Sequence, residues 1–166
     1  MRVGITGHQD RPGIDWAWAR HEIGNQLRTI APIETAYSSL AAGSDQIFAT
    51  VCLELGIPIT AVIPMDGYER FFHGDDLYSY RRLLAASTVV VLSGPEDEEA
   101  AFFNAGKYIA DRSDLLIAIW DGKPAAGRGG TADIVAIVHD TGRAYIHLNP
   151  IDRTISCSFK ETGQNG

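Results

Sequence analysis

Three polar loops hold the residues whose types and spacing suit a phosphorylated ligand. The clearest follows the apolar run Leu115 to Trp120 and ends in Gly129-Gly130-Thr131, where a stretch of helical period begins. Glycines let a backbone approach a ligand closely. The first N–H groups of a helix have no intrahelical partner, and the helix dipole favours negative charge there. A second loop, Ser38 to Gln46, is built from small residues and brings Gly43, Ser44 and Asp45 to another helix start. Ser44 also suits an N-cap and Asp45 a first helical turn. The third is Thr6-Gly7-His8-Gln9-Asp10, where Gly7 permits a tight turn and Thr6 and His8 offer hydrogen bonds. Each loop directly follows a buried strand, and open α/β sheets bind ligands at the carboxyl ends of their strands. One site built jointly by the three loops is therefore expected.

Other side chains could complete such a site. Asp121, directly after its strand, suits either ribose hydroxyls or the loop's own N–H groups. Asp133, early in the last helix, suits either the helix dipole or a sugar. Trp120 would either stack on a base or join the core. Arginine binds phosphate oxygens in a planar fork, and Arg81 and Arg128 are the candidates. Arg128 lies inside the glycine loop, whereas Arg81 must be brought in by the fold. A catalytic alternative exists, cleavage of the N-glycosidic bond of a nucleotide. It needs a carboxylate to stabilise an oxocarbenium-like centre or to activate water. Asp121 and Asp133 are the first candidates, with Asp45 a third. The five histidines and the isolated Cys52 and Cys157 show no metal-ligand spacing, so neither a metal nor a cofactor is called for.

The elements that must position these loops alternate along the chain. Strands are expected at Arg2 to Thr6, Ile33 to Leu40, Ile59 to Pro64, Thr88 to Leu92, Leu115 to Trp120 and Ala144 to Leu148. Helices are expected at Asp15 to Ile30, Ser44 to Leu55, Tyr68 to Ala86, Glu96 to Arg112 and Thr131 to Thr141. Several strands are apolar throughout, as strands covered on both faces are. Strand-helix alternation implies right-handed crossovers. The predicted fold is a Rossmann-like three-layer α/β/α sandwich with a mainly parallel sheet of about six strands. Residues 1–150 form one domain, and the polar segment 151–166 is expected to be poorly ordered.

The chain has 166 residues and a formal net charge of -7, which argues against non-specific nucleic-acid binding. No apolar run reaches the ~18 residues of a membrane span. The first residues read as a strand, not a signal peptide, and the sparse cysteines fit a reducing cytoplasm. A homo-oligomer is expected.

Three segments resemble the SLOG superfamily, which groups the LOG phosphoribohydrolases with the DNA-processing protein of natural transformation. They are ITGHQD, SSLAAGSDQIFATVCLELGIPITAVIP and RSDLLIAIWDGKPAAGRGGTADIV, and together they span about residues 2 to 149. The second is similar to the small-residue Gly-x-Asp segment of the DNA-processing protein, the third to the glycine loop of LOG enzymes. LOG enzymes carry a catalytic glutamate three positions after the loop threonine, and here that position is Ile134. The resemblance implies a nucleotide or nucleotide-derived ligand and a sensor or effector role in bacterial signalling or defence.

Overall fold

A computed structural model of the chain describes residues 1–94, 97–125 and 130–159. Seven strands form one sheet: β1 (Arg2–Gly7), β2 (Thr35–Ser38), β3 (Ile59–Ile63), β4 (Thr88–Val91), β5 (Leu115–Ile119), β6 (Ala144–Asn149) and β7 (Thr154–Ser158). Their spatial order is β4-β3-β2-β1-β5-β6-β7, all parallel except β7, which runs antiparallel to β6. The helices are α1 (Trp16–Ile30), α2 (Ser44–Glu54), α3 (Gly74–Ala85), α4 (Glu98–Arg112) and α5 (Thr131–Asp140).

The two-residue period of a strand sorts the apolar side chains between the two faces. Val3, Ile5, Ile59, Ala61, Leu115, Ile117 and Ile119 pack with Ile23 and Leu27 of α1, Phe48 and Cys52 of α2 and Leu83 of α3. Val62 and Leu116 turn the other way, against Ala105 and Ile109 of α4 and Ile134 and Val138 of α5. All five residues of β5 are buried because helices cover both of its faces.

The structure departs from the sequence reading in two places. The long third helix is interrupted: a 3-10 turn at Tyr68–Phe71 is followed by extended Phe72 and His73 before α3 begins. The break swings Phe72 into the core, 6% exposed, where it stacks on Tyr80 with centroids 4.3 Å apart and meets Tyr68 edge-on at 5.0 Å. Second, the sheet takes in Thr154–Ser158, part of the segment assigned to a polar tail, as β7. An antiparallel edge strand with one polar side reads as a tail because most of its residues remain exposed.

The chain lays β2, β3 and β4 to one side of β1, then crosses through α4 to place β5 on the other. The loops after β1 and β5 consequently leave the sheet in opposite directions. That divergence opens the crevice typical of a topological switch point.

Candidate functional site

A cavity of about 400 Å³ occupies that crevice. Thr6, Gly7, His8 and Arg11 line it from the loop after β1, and Ser39, Ala41 and Asp45 from the loop after β2. Lys123 lines it after β5, and Gly130 and Thr131 bring in the start of α5. Phe102 and Gly106 of α4, with Tyr68, close the wall. Segments more than a hundred residues apart in the chain thus share one surface.

The first two loops are packed directly on each other, and two glycines make that possible. Gly43 has φ +84°, and a Cβ there would sit 2.3 Å from the carbonyl oxygen of Gln9. A Cβ on Gly7 would come within 2.5 Å of Cβ of Ser44. Into this contact Ser44 donates twice to the His8 carbonyl, from its N–H at 3.2 Å and its hydroxyl at 2.7 Å. Ser44 is 1% exposed and is the first residue of α2, while Gly43 takes the N-cap position with no side-chain bond. The expectation that Ser44 caps the helix and offers its N–H to an anion is therefore corrected: its donors join the two loops. Gly43 likewise serves the loop contact, not the wall of this cavity.

The loop after β2 is held under strain by its neighbours. Leu40 is fully buried with φ +58°, a conformation L side chains rarely adopt. Its N–H donates to Oγ of Ser38 at 3.0 Å, and its carbonyl accepts from Nε2 of Gln46 at 3.2 Å. The next N–H, of Ala41, donates to Oδ2 of Asp45 at 3.3 Å. Asp45 is thus both a support of the loop and a wall of the cavity. It is 8% exposed, and burial, against the N–H bonds of Ala41 and Ser39, pushes its carboxyl up to about 7.

Asp121 takes the second of its two expected roles, accepting an N–H of its own loop, and adds an ion pair to it. Its side chain is 3% exposed and it does not line the cavity. Oδ1 accepts the Lys123 N–H at 3.0 Å and Oδ2 accepts from Nη1 of Arg11 at 2.6 Å. Its own N–H donates to Nε2 of His8 at 3.1 Å. Burial and the nearby Arg11 lower the pKa of His8, so the ring is neutral at pH 7. With that nitrogen accepting from the backbone, its 3.3 Å approach to Oδ1 of Asp121 is proximity, and Arg11 is the ionic partner. Burial works to raise the Asp121 carboxyl, but the Lys123 N–H and the Arg11 guanidinium outweigh it and hold it at about 2. Asp121 therefore joins the β1 and β5 loops and positions Arg11 at the cavity.

Arg81 is not brought in. It lies on the exposed side of α3, 65% exposed and paired with Glu69. Asp133 also stands aside: Thr131, Ala132 and Ile134 line the cavity around it. Thr131 begins α5 and Gly130 occupies its N-cap position without a side-chain bond. Arg128 and Gly129 lie outside the described residues. The residues that sequence reasoning overlooked are Arg11, Lys123, Tyr68 and Phe102. Arg11 had a usable signal, a basic side chain in the same strand-end loop as His8. The aromatic pair had none, because its arrival depends on the break before α3.

No family model matches the chain, and no curated protein matches it in sequence. Solved structures do match in shape. DNA processing protein A (DprA) from Streptococcus pneumoniae aligns with a TM-score of 0.60 at 18% identity, over 89% of this chain and 50% of that one. The protein TM1055 aligns with a TM-score of 0.54 at 15% identity, over 86% of this chain and 70% of that one. The molybdenum cofactor carrier protein of Chlamydomonas reinhardtii gives 0.52 at 17% identity, over 88% and 74%. The chain shares the Rossmann-like fold of these three structures. At these identities the likeness is one of fold. Within that fold the strand-end crevice is built here by this chain's own His8–Ser44 and Arg11–Asp121 contacts. Among the described residues no helix is long and apolar enough to cross a membrane, and no three His, Cys, Asp or Glu side chains gather closely enough to hold a metal ion.

Proposed function

We propose that this chain binds a nucleotide or nucleotide-derived ligand in the crevice between the β1 and β5 loops. The observation that carries the reading is the convergence of Arg11, Lys123 and the start of α5 on one cavity in an otherwise acidic chain. Basic side chains and helix-start N–H groups are complementary to phosphate. Two proteins sharing the fold are named for the molecules they handle, DNA and a molybdenum cofactor, which agrees with a phosphorylated ligand. The resemblance to the SLOG superfamily supports a role as a sensor or effector in bacterial signalling or defence; the sparse cysteines favour the cytoplasm, and a homo-oligomer belongs to the same proposal. Calorimetry against mononucleotides, ADP-ribose and cyclic dinucleotides tests the binding, with Gly130→Val as the control that blocks backbone approach. Absence of heat with the whole panel refutes the reading.

One observation favours an enzymatic version. Asp45 is a carboxylate on the cavity wall with its carboxyl at about 7, the range in which a group both gives and takes a proton at neutral pH. If the chain cleaves an N-glycosidic bond, Asp45 is the general acid–base group in place of Asp121 and Asp133. Release of free base from nucleoside monophosphates or NAD, abolished in Asp45→Asn, is the expected result. No release by the wild type leaves binding as the function.

A further inference from the structure

A second and larger cavity, of about 710 Å³, adjoins the first. The two share Gln9, Asp10, Ala41, Tyr68 and Phe102 as a common wall. Their linings differ in balance. The first adds the cations Arg11 and Lys123, with Asp45 and Trp120, to the shared wall. The second adds the rings of Trp16, Phe71, Phe72 and His73 and the carboxylate Asp76. Arg20, the one Arg or Lys among its described lining residues, is held by both carboxylate oxygens of Glu54 at 2.5 and 2.7 Å, whereas the first cavity keeps Lys123 beside the paired Arg11. Aromatic faces with carboxylate acceptors suit a base and sugar hydroxyls, and they repel phosphate. The first cavity is near the lower end of small-molecule sites, room for about one nucleoside with its phosphates, and the second is well within that range.

We infer that the ligand is a dinucleotide, with its phosphates and one nucleoside in the first cavity and its second nucleoside in the aromatic cavity between α1 and α3. This rests on the nucleotide-binding reading above and extends it from the phosphate site to the class of ligand. The shared wall sets the geometry: the linkage passes Gln9 and Ala41, where the loop after β1 meets the loop after β2. The wall is held by the contact of Gly43 with Gln9, so the two cavities keep a fixed relation.

The test is calorimetry with matched pairs of probes: ADP and GDP, the corresponding dinucleoside diphosphates, and NAD. Wild type is compared with Trp16→Ala and with Ser79→Trp, which fills the second cavity from the α3 side without removing a core residue. The expected result is a dinucleotide bound at least tenfold more tightly than its mononucleotide. Both variants should lose most of that preference while holding the mononucleotide within about twofold of wild type. A dinucleotide no tighter than its mononucleotide overturns the inference and leaves the phosphate site standing. So does an equal loss of both probes in Ser79→Trp with the fold intact by circular dichroism. If no probe binds at all, the phosphate site itself is refuted, and the two failures are thereby told apart.

Discussion

Asp45→Asn should remove a pH dependence of stability that the wild type shows on the acid side of neutrality. The carboxyl is buried and pushed from its ordinary 3.8 to about 7. A shift of that size corresponds to about 4 kcal/mol between the protonation states. The opposing helix dipole at the start of α2 contributes only about 0.3 to 1 kcal/mol, so burial wins. The sign follows from proton counting. Between the unfolded and folded values the native state binds more protons, so stability is fully present at low pH and falls as pH rises toward 7. From about pH 5 to about pH 7.5 the wild type should lose roughly 2.5 kcal/mol through this group alone. His8 works the other way in part of that range, because its folded pKa is lowered. The informative quantity is therefore the difference between wild type and Asp45→Asn. Urea unfolding at the two pH values measures it, with the slope m checked for constancy. The variant should be the more stable protein at about pH 7.5 relative to wild type than at about pH 5, by the same roughly 2.5 kcal/mol. Parallel pH profiles, within about 0.5 kcal/mol, would show that Asp45 is ionised in the folded state at no cost.

Gly43→Ala places a methyl against the Gln9 carbonyl in a backbone region closed to L residues. It should cost about 3 kcal/mol or more, read as a lowered urea midpoint. Asp121→Asn removes the partner of Arg11 and should cost about 2 kcal/mol at neutral pH. Because the Asp121 carboxyl is held at about 2, that contribution is lost as pH falls from about 4 toward 2, and wild type and variant should converge in acid. Arg81→Ala should change stability by under about 0.5 kcal/mol and leave nucleotide affinity unaltered, since an exposed pair with Glu69 contributes little. A tenfold loss of affinity on that substitution would show that α3 moves onto the ligand.

The parallel sheet was legible because burial on both faces leaves an unmistakable trace: every residue of β5 is apolar and buried. The three loops were legible because each follows such a strand, and strand ends in an open sheet share an edge. What a loop residue does there was harder to read, since local chemistry and tertiary contact compete for the same atoms. Ser44 before a helix is a cap by default, yet the His8 carbonyl takes both of its donors. Gly43 and Gly7 look like ligand-facing glycines, and besides reaching the cavity walls they relieve crowding between two loops. The interrupted third helix was hidden because residues 68–86 keep a helical period through the break. Only the need to bury Phe72 against Tyr80 reveals it.

The arginines make the same point about direction. Charge composition counts Arg81 and Arg11 alike, and helical position alone cannot say which one meets the site. The decisive fact is topological. The loop after β1 and the loop after β5 flank the switch point, so an arginine in the first must face whatever ends the second. That residue is Asp121, and the pair closes at 2.6 Å. A carboxylate that could have served a ligand or its own loop thus caps the loop and fixes an arginine. The cation that a phosphate would meet then comes from a loop tied to the sheet, not from a mobile helix surface. An arginine pre-positioned in this way gives up little rotamer freedom when a ligand arrives, which favours affinity by lowering the cost of ordering.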